Sequence, residues 1–120
     1  MINISSGLGH STSPVAMPYN TSKWAVESMS KSFAQGFQAL GLNCLCVPLA
    51  PGVIQTEMNT RKGIPTAKEW APVAAEFILG IPQEENGSSL IVPQYYSEPY
   101  TDTWVIPPGM KIPGKFVVPQ

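Results

Sequence analysis

Charged residues are scarce in this sequence of 120 residues. Lys and Arg number 7, Asp and Glu number 8, and the formal net charge is -1. Only 12% of the residues are charged, against about a quarter in an ordinary globular domain. The lack of a basic excess argues against binding to nucleic acid or to an anionic membrane. So few charges also predict that a partner subunit, or more of the protein's own chain, covers part of the folded surface.

Long apolar runs and a secretion signal are lacking as well. No apolar run approaches the roughly 18 residues that cross a bilayer, and the N-terminus has neither the basic region nor the apolar segment of a signal peptide. Cys44 and Cys46 lie two residues apart in a strand-like run, a poor geometry for a disulfide. Free thiols suit a reducing compartment, so we expect a cytoplasmic protein. The single histidine, His10, is not expected to bind a metal, because no His, Cys or Asp spacing indicates a metal site.

The remaining pattern alternates strands with helices. Short apolar or β-branched runs predict strands at residues 1–6, 42–49 and 89–92. A first helix is expected from Pro18 to Gly41, with apolar residues at helical spacing: Val26, Met29, Phe33, Phe37 and Leu40. A second is expected over residues 66–80, unless Pro72 moves its start to Trp70. The order βαβαβ indicates the α/β class, with a parallel sheet that forms part of a doubly wound fold.

The last 28 residues differ from the rest. Residues 93–120 contain six of the thirteen prolines, and aromatic residues lie among them, including Tyr95, Tyr96, Tyr100 and Trp104. No periodicity survives in this segment. We therefore divide the chain into a folded unit, residues 1–92, and a tail rich in proline and aromatic residues, residues 93–120. The tail is expected to pack irregularly through its aromatic side chains.

Polar side chains and a glycine turn come together at one edge of the predicted sheet. Tyr19 and Lys23 are four residues apart at the start of the first helix, so they share one face. Ser6 ends the first strand, and Gly9 follows where the loop must pass close to its neighbours. The segment from Pro51 to Thr56 follows the second strand. Because ligands bind outside the carboxyl ends of strands in open α/β sheets, we expect a site at this edge.

These residues resemble the motifs of the short-chain dehydrogenase/reductase superfamily. The matching segments are Asn3-Ile4-Ser5-Ser6 with Gly9, Tyr19-Asn20-Thr21-Ser22-Lys23 as Y-x-x-S-K, and Pro51-Gly52-x-Ile54-x-Thr56. The resemblance implies a Rossmann-type oxidoreductase that moves a hydride between a nicotinamide cofactor, NAD(P)(H), and a carbonyl or alcohol substrate.

The family pattern also implies a role for each matching residue. Tyr19 would be the catalytic acid/base, Ser6 would orient the substrate oxygen, and Lys23 would hold the cofactor ribose and support Tyr19. Four residues would line the nicotinamide carboxamide: Pro51, Gly52, Ile54 and Thr56. A cation beside a phenol and a hydroxyl beside the reacting oxygen suit proton transfer and substrate orientation.

The sequence departs from the family pattern in its first half. It has no glycine-rich turn for the pyrophosphate, no residue that selects NAD or NADP, and no Asn-Asn-Ala-Gly segment. We therefore expect the chain to correspond to the C-terminal half of a family member, as a fragment, a truncated product or a splice form. Its first strand should then present an unpaired edge.

The sequence is also compatible with a second function. The chain could be a catalytically inactive remnant that pairs with a copy of itself or with a relative through the helix over residues 26–40. The apolar residues of that helix are equally consistent with ordinary core packing.

Overall fold

The computed structural model describes residues 1–93 and 106–113. Three parallel strands form one sheet, β1 (Ile2–Ile4), β2 (Val47–Ala50) and β3 (Leu90–Ile91), in the order β1-β2-β3. Helix α1 (Met17–Ala39) joins β1 to β2, and helix α2 (Ala67–Leu79) joins β2 to β3. The predicted α/β class and the βαβαβ order are confirmed. Among the described helices, none is long and apolar enough to cross a membrane.

The strands are shorter than predicted. Ile2 pairs with Val47, and Ile4 pairs with Leu49. Residues 42–46 precede the first pair and lie outside the strand, although the sequence pattern places them in it. A strand needs a hydrogen-bonded neighbour along its length, and the register between β1 and β2 begins with Ile2 and Val47. Apolar character alone therefore overestimated the length of β2.

Helix α2 begins earlier than the position of Pro72 suggests. Thr66 caps the helix, its hydroxyl accepts from the backbone N–H of Glu69, and the Glu69 carboxylate accepts from the backbone N–H of Thr66. The backbone N–H of Thr66, with some help from its hydroxyl, lowers the pKa of the Glu69 carboxyl. This reciprocal capping box fixes the helix start one turn before Trp70. Pro72 is accommodated inside the helix, so the later start at Trp70 is wrong.

The core lies between α2 and the sheet. All four residues of β2 are buried, and the central cluster is apolar: Val47, Leu49, Ala74, Phe77, Leu90 and Val92. Burial of such side chains contributes about 1.5–3 kcal/mol each. The packing of α2 on the sheet is therefore a conventional apolar contact between a helix and a parallel sheet.

Helix α1 packs differently, because its buried face is mostly polar. The buried residues are Asn20, Glu27, Ser30 and Ala34. Met29 and Phe33 of the predicted apolar stripe are 46% and 45% exposed, and Leu40 is 74% exposed. The interpretation that these three side chains pack in the core is therefore wrong. The helix turns small and polar residues inward, where the Asn20 amide N–H group and the Ser30 hydroxyl donate hydrogen bonds to backbone carbonyls.

The described part of the tail, residues 106–113, packs beside β3. The backbone N–H of Lys111 donates to the carbonyl of Ser89 at 3.0 Å, and the N–H of Ile91 donates to the carbonyl of Lys111 at 3.2 Å. Met110 is buried against Ala50 and Ile91. The four aromatic residues to which the sequence assigns the packing of the tail lie outside the described residues. The division into residues 1–92 and 93–120 stays a prediction.

Candidate active site

Ser6 lies two residues after the end of β1, where the chain turns into a short 3-10 helix, Gly7–His10. Its hydroxyl accepts from the backbone N–H of Leu8 at 3.2 Å, and its carbonyl accepts from the N–H of Gly9 at 2.8 Å. These two bonds satisfy donors that the start of a helix leaves unpaired. Ser6 is thereby held at the carboxyl end of the sheet, as the sequence predicts.

Tyr19 and Lys23 lie on successive turns at the start of α1. The Lys23 ammonium lies 5.6 Å from the centre of the Tyr19 ring, and it donates to the carbonyl of Ile4 at 3.0 Å. That carbonyl belongs to the last residue of β1, so the lysine connects the helix to the strand that leads to Ser6. The Lys23 ammonium thus contacts one backbone carbonyl and lies over the Tyr19 ring.

Gly9 makes the close approach that the sequence predicts. A Cβ atom at this position would lie 3.0 Å from the carbonyl oxygen of Lys23 and 3.2 Å from Cγ of Glu27. Only a residue without a side chain lets the Gly7–His10 helix lie this close to α1. The spacing between Ser6 and Tyr19 therefore depends on this contact.

The segment from Pro51 to Thr56 divides into two parts. Pro51 and Gly52 line the same cleft as Ser6 and Tyr19, and Gly52 has a positive φ of 84° that favours glycine. Ile54 and Thr56 do not line that cleft. Thr56 instead forms a turn in which its N–H donates to the carbonyl of Asn59 at 3.0 Å.

The cleft itself is an open cavity of about 620 Å³ at the carboxyl end of the sheet. Ser6 and Tyr19 line it together with apolar residues such as Leu8 and Ile91. None of the described lining residues carries a charge. Such a cavity suits a small neutral molecule with an oxygen that two hydroxyls can reach.

Two further residues of α1 hold the cleft together, and the sequence analysis missed both. The buried Asn20 amide donates to the carbonyls of Leu8 and Ser11 at 2.9 and 2.8 Å. The Trp24 indole N–H donates to the carbonyl of Ser11 at 3.0 Å. Asn20 and Trp24 are four residues apart, so they share one face of α1. That spacing was the signal in the sequence that could have indicated a shared contact.

The tail closes one side of the cleft. Pro107 and Pro108 line it, and a Cβ at Gly7 would lie 2.6 Å from Cγ of Pro107. Gly109, with a φ of 80°, lies against His10, where a Cβ would be 2.6 Å from Nδ1. Two glycines on opposite sides of this contact therefore let the tail reach the cleft.

An ion pair fastens the tail to the rest of the molecule. The Lys111 ammonium lies 2.7 Å from the Glu85 carboxylate. Burial alone would raise the pKa of the Glu85 carboxyl, but hydrogen bonds from Lys111 and Ser88 and the charge of Lys111 outweigh burial and lower it. A carboxyl with a lowered pKa stabilises the folded state above its ordinary pKa of 4.5, and this stabilisation is lost as the pH falls through the lowered value.

We expect Lys111→Met to remove this acid-sensitive part of the stability. Lys111 is half exposed, so the free energy of unfolding at pH 7 should fall by less than about 1 kcal/mol. At a pH below the lowered pKa of Glu85, the variant and the unmodified chain should be equally stable. Urea unfolding at both pH values measures the difference, with Lys62→Met in an exposed loop as the control. A difference that persists unchanged at acid pH would contradict this account.

Comparison with known proteins gives a consistent picture. The family model described as short chain dehydrogenase matches residues 1–65. An NADPH-dependent pterin aldehyde reductase of Arabidopsis thaliana is 35% identical over 102 residues, which cover 77% of this chain and 39% of that protein. The crystal structure of acetoin dehydrogenase from Enterobacter cloacae is 31% identical, with a TM-score of 0.57 and coverage of 78% of this chain and 41% of that one.

A second solved structure supports the fold. The carbonyl reductase Sniffer of D. melanogaster matches with a TM-score of 0.63 at 24% identity, over 76% of this chain and 37% of that chain. The chain thus spans about two-fifths of the length of the relatives it matches. With the family model over more than half of its residues and a relative that is 35% identical, the chain belongs to the short-chain dehydrogenase family of oxidoreductases.

Proposed function

We propose that this chain carries the catalytic part of an oxidoreductase that transfers a hydride between NAD(P)(H) and a carbonyl or alcohol. One observation supports this most strongly. Ser6 and Tyr19, which each carry a hydroxyl, come from separate elements and line the same uncharged cleft. Two hydroxyls in such a place can bind one carbonyl oxygen and hold it for attack on the carbon.

In the direction of reduction, Tyr19 gives its phenolic proton to the substrate oxygen, and Ser6 donates a hydrogen bond to the same oxygen. The Lys23 ammonium lies 5.6 Å from the centre of the Tyr19 ring, close to the place where negative charge develops during the proton transfer. The nicotinamide supplies the hydride when the cofactor is bound. In the direction of oxidation, Tyr19 takes the proton back.

The residues of the cleft fit the nicotinamide end of a dinucleotide. Pro51 and Gly52 line it and would lie against the carboxamide, and Lys23 would hold the ribose. Ile54 and Thr56, which the family pattern places there too, lie farther along the loop and would have to move closer. The Arabidopsis relative is NADPH-dependent by name, so NADPH is the first cofactor to test.

The rest of the dinucleotide has no partner of the expected kind in this sequence. A pyrophosphate is normally bound by a glycine-rich turn at a helix N-terminus, and the 120 residues contain no such motif. We propose that this function is supplied by protein outside these residues, in keeping with the share of the relatives that the chain spans.

The substrate we propose is a small neutral carbonyl compound. The relatives are named for a pterin aldehyde, for carbonyl compounds and for acetoin. None of the described residues that line the cleft carries a positive charge to pair with a substrate carboxylate or phosphate. Lys23 is the nearest cation on α1, and its ammonium is engaged with the Ile4 carbonyl.

The function is tested by saturation-transfer NMR of the chain with NADPH, because the method detects weak binding. We expect the nicotinamide protons to receive more saturation than the adenine protons, since only the nicotinamide end has its residues here. Ser6→Leu should abolish the signal by filling the cleft. Ser32→Leu, on the exposed face of α1, is the matched control. Equal transfer to both ends, or the same result in both variants, would contradict the proposal.

The second candidate function, an interaction or dimerisation module, has an observation of its own. Met29, Phe33 and Leu40 leave an apolar stripe of α1 exposed, and exposed patches of this kind mark contact surfaces. If α1 pairs with a second copy, sedimentation should show a dimer that Phe33→Glu dissociates and Gln35→Glu leaves intact. Binding of NADPH by a monomer would favour the enzyme, and a dimer without binding would favour the module.

A further inference from the structure

A buried carboxylate lies under the cleft and has no role in the reaction proposed above. It belongs to Glu27 of α1, which is 3% exposed. A carboxylate that is removed from water costs free energy unless hydrogen bonds and charges compensate for it. An apolar residue would fill this position at lower cost, so the contacts of Glu27 indicate what it is for.

Glu27 is satisfied from three different segments of the chain. The Ser5 hydroxyl donates to Oε1, and the Ser89 hydroxyl donates to Oε2, each at 2.5 Å. His10 Nε2 lies 3.1 Å from Oε2, although the ring is not oriented for a hydrogen bond. The Lys31 ammonium, one turn further along α1, is 3.7 Å from Oε2. Glu27 thus joins α1 to the end of β1, to the start of β3 and to the Gly7–His10 helix.

Two of these contacts lie on either side of Ser6. Ser5 precedes it and lines the same cleft, and its backbone N–H donates to the Leu49 carbonyl at 2.8 Å. His10 is the last residue of the short helix that Ser6 caps. The close approach of Gly9 to Cγ of Glu27 completes the contact. Glu27 therefore holds both ends of the segment that carries Ser6.

We propose that Glu27 is a positioning residue that sets the place of the Ser6 hydroxyl relative to Tyr19. Tyr19 and Glu27 belong to one continuous helix, so a fixed distance along α1 becomes a fixed distance across the cleft. The catalytic consequence rests on the proposed function, whereas the structural consequence does not. Positioning matters because a misplacement of about 1 Å can cost on the order of a hundredfold in rate.

Ser5 and Ser89 provide a matched pair of variants. Ser5→Ala and Ser89→Ala each remove one hydroxyl donor from the same carboxylate, but only Ser5 lines the cleft. If Glu27 positions the site, Ser5→Ala and Glu27→Gln should lower kcat by on the order of tenfold with little change in KM. Ser89→Ala should lower the free energy of unfolding about as much as Ser5→Ala does. It should leave kcat within about twofold of the value for the unmodified protein. The assay uses NADPH and the chain together with the dinucleotide-binding half of a short-chain dehydrogenase, supplied as a separate protein.

Nuclear magnetic resonance of the 120-residue chain gives a readout that needs no activity. Ser5→Ala and Glu27→Gln should shift the backbone amide signals of Ser6, Leu8 and Tyr19. Ser89→Ala should shift only signals near β3 and Lys111. His10 is the single histidine, so its ring nitrogens can be assigned without ambiguity. We expect the proton on Nε2, since a bare lone pair there would repel the carboxylate, and Glu27→Gln should remove this preference.

The two readouts separate the possible failures. If no carbonyl is reduced by the unmodified protein, the proposed function fails, and the amide shifts alone decide whether Glu27 places Ser6. If Glu27→Gln does not fold, Ser5→Ala against Ser89→Ala still decides. Equal effects of the two serine variants on kcat, or on the Ser6 and Tyr19 signals, would show that Glu27 only stabilises the fold and would overturn the proposal.

Discussion

Tyr19→Phe should lower turnover by on the order of a hundredfold or more, with little change in the affinity for the cofactor. Phenylalanine keeps the ring that lies 5.6 Å from the Lys23 ammonium and removes only the hydroxyl. Lys23 should keep its hydrogen bond to Ile4, so the cofactor side of the cleft stays intact. Steady-state reduction of a panel of neutral aldehydes and ketones, with a family dinucleotide-binding half supplied, measures the loss.

Thr21→Val is the control for this variant. Thr21 lies on the same turn of α1, is exposed, and its hydroxyl donates to the carbonyl of Met17 at 2.9 Å. The Thr21→Val variant therefore removes a hydroxyl close to Tyr19 and leaves the residues that line the cleft unchanged. Turnover that survives in Tyr19→Phe, or falls equally in Thr21→Val, would exclude Tyr19 as the proton donor.

The 120-residue chain by itself should bind NADPH or NADH no more tightly than the millimolar range, and its turnover should be too slow to detect. The pyrophosphate has no glycine-rich turn here, and losing its contacts should cost several kcal/mol. Each ~1.4 kcal/mol is a tenfold change in affinity, so a micromolar site would weaken about a thousandfold for a loss of ~4 kcal/mol.

Calorimetric titration of the monodisperse chain with each dinucleotide tests this expectation. The titration is repeated with the dinucleotide-binding half present, where we expect micromolar affinity. Micromolar binding by the chain alone, together with turnover, would show that the chain or an assembly of copies builds a complete cofactor site. The proposal that protein outside these residues binds the pyrophosphate would then be wrong.

The order of the elements and the edge that carries the site could be predicted from the sequence for a physical reason. A buried parallel strand must be apolar throughout, so Val47 and Leu49 identify β2 directly. Residues that follow such strands lie at one edge of the sheet, and this rule predicts that Ser6, Tyr19 and Pro51 lie close together there. Local rules were enough, because each of these residues follows a strand or starts a helix.

The packing of α1 could not be predicted in this way. Apolar periodicity shows which side chains gain from burial, but it does not show what covers them. Phe33 belongs to the apolar stripe of the helix and is 45% exposed, whereas Glu27 is 3% exposed. The carboxylate is buried because Ser5, Ser89 and His10 arrive from distant parts of the chain. No local pattern contains that information.

The contact of the tail with the cleft was also beyond prediction. Pro107 reaches the cleft because Gly7 has no side chain to block it, and Gly109 lies on His10 for the same reason. A glycine in a loop indicates freedom of the backbone, but it does not name the segment that uses the space. The partners become evident only when residues 106–113 are placed beside β3.

A double-mutant cycle on Ser6 and Tyr19 tests most directly whether the two hydroxyls act on one substrate oxygen. Hydride transfer from NADPH to a neutral aldehyde is followed with the dinucleotide-binding half present. The rates compared are those of the unmodified protein, Ser6→Ala, Tyr19→Phe and the double variant. Because residues that act on one oxygen are not independent, the double variant should lose much less than the product of the two single losses. Losses that multiply, or single variants that keep full activity, would contradict the assignment of this cleft as the catalytic site.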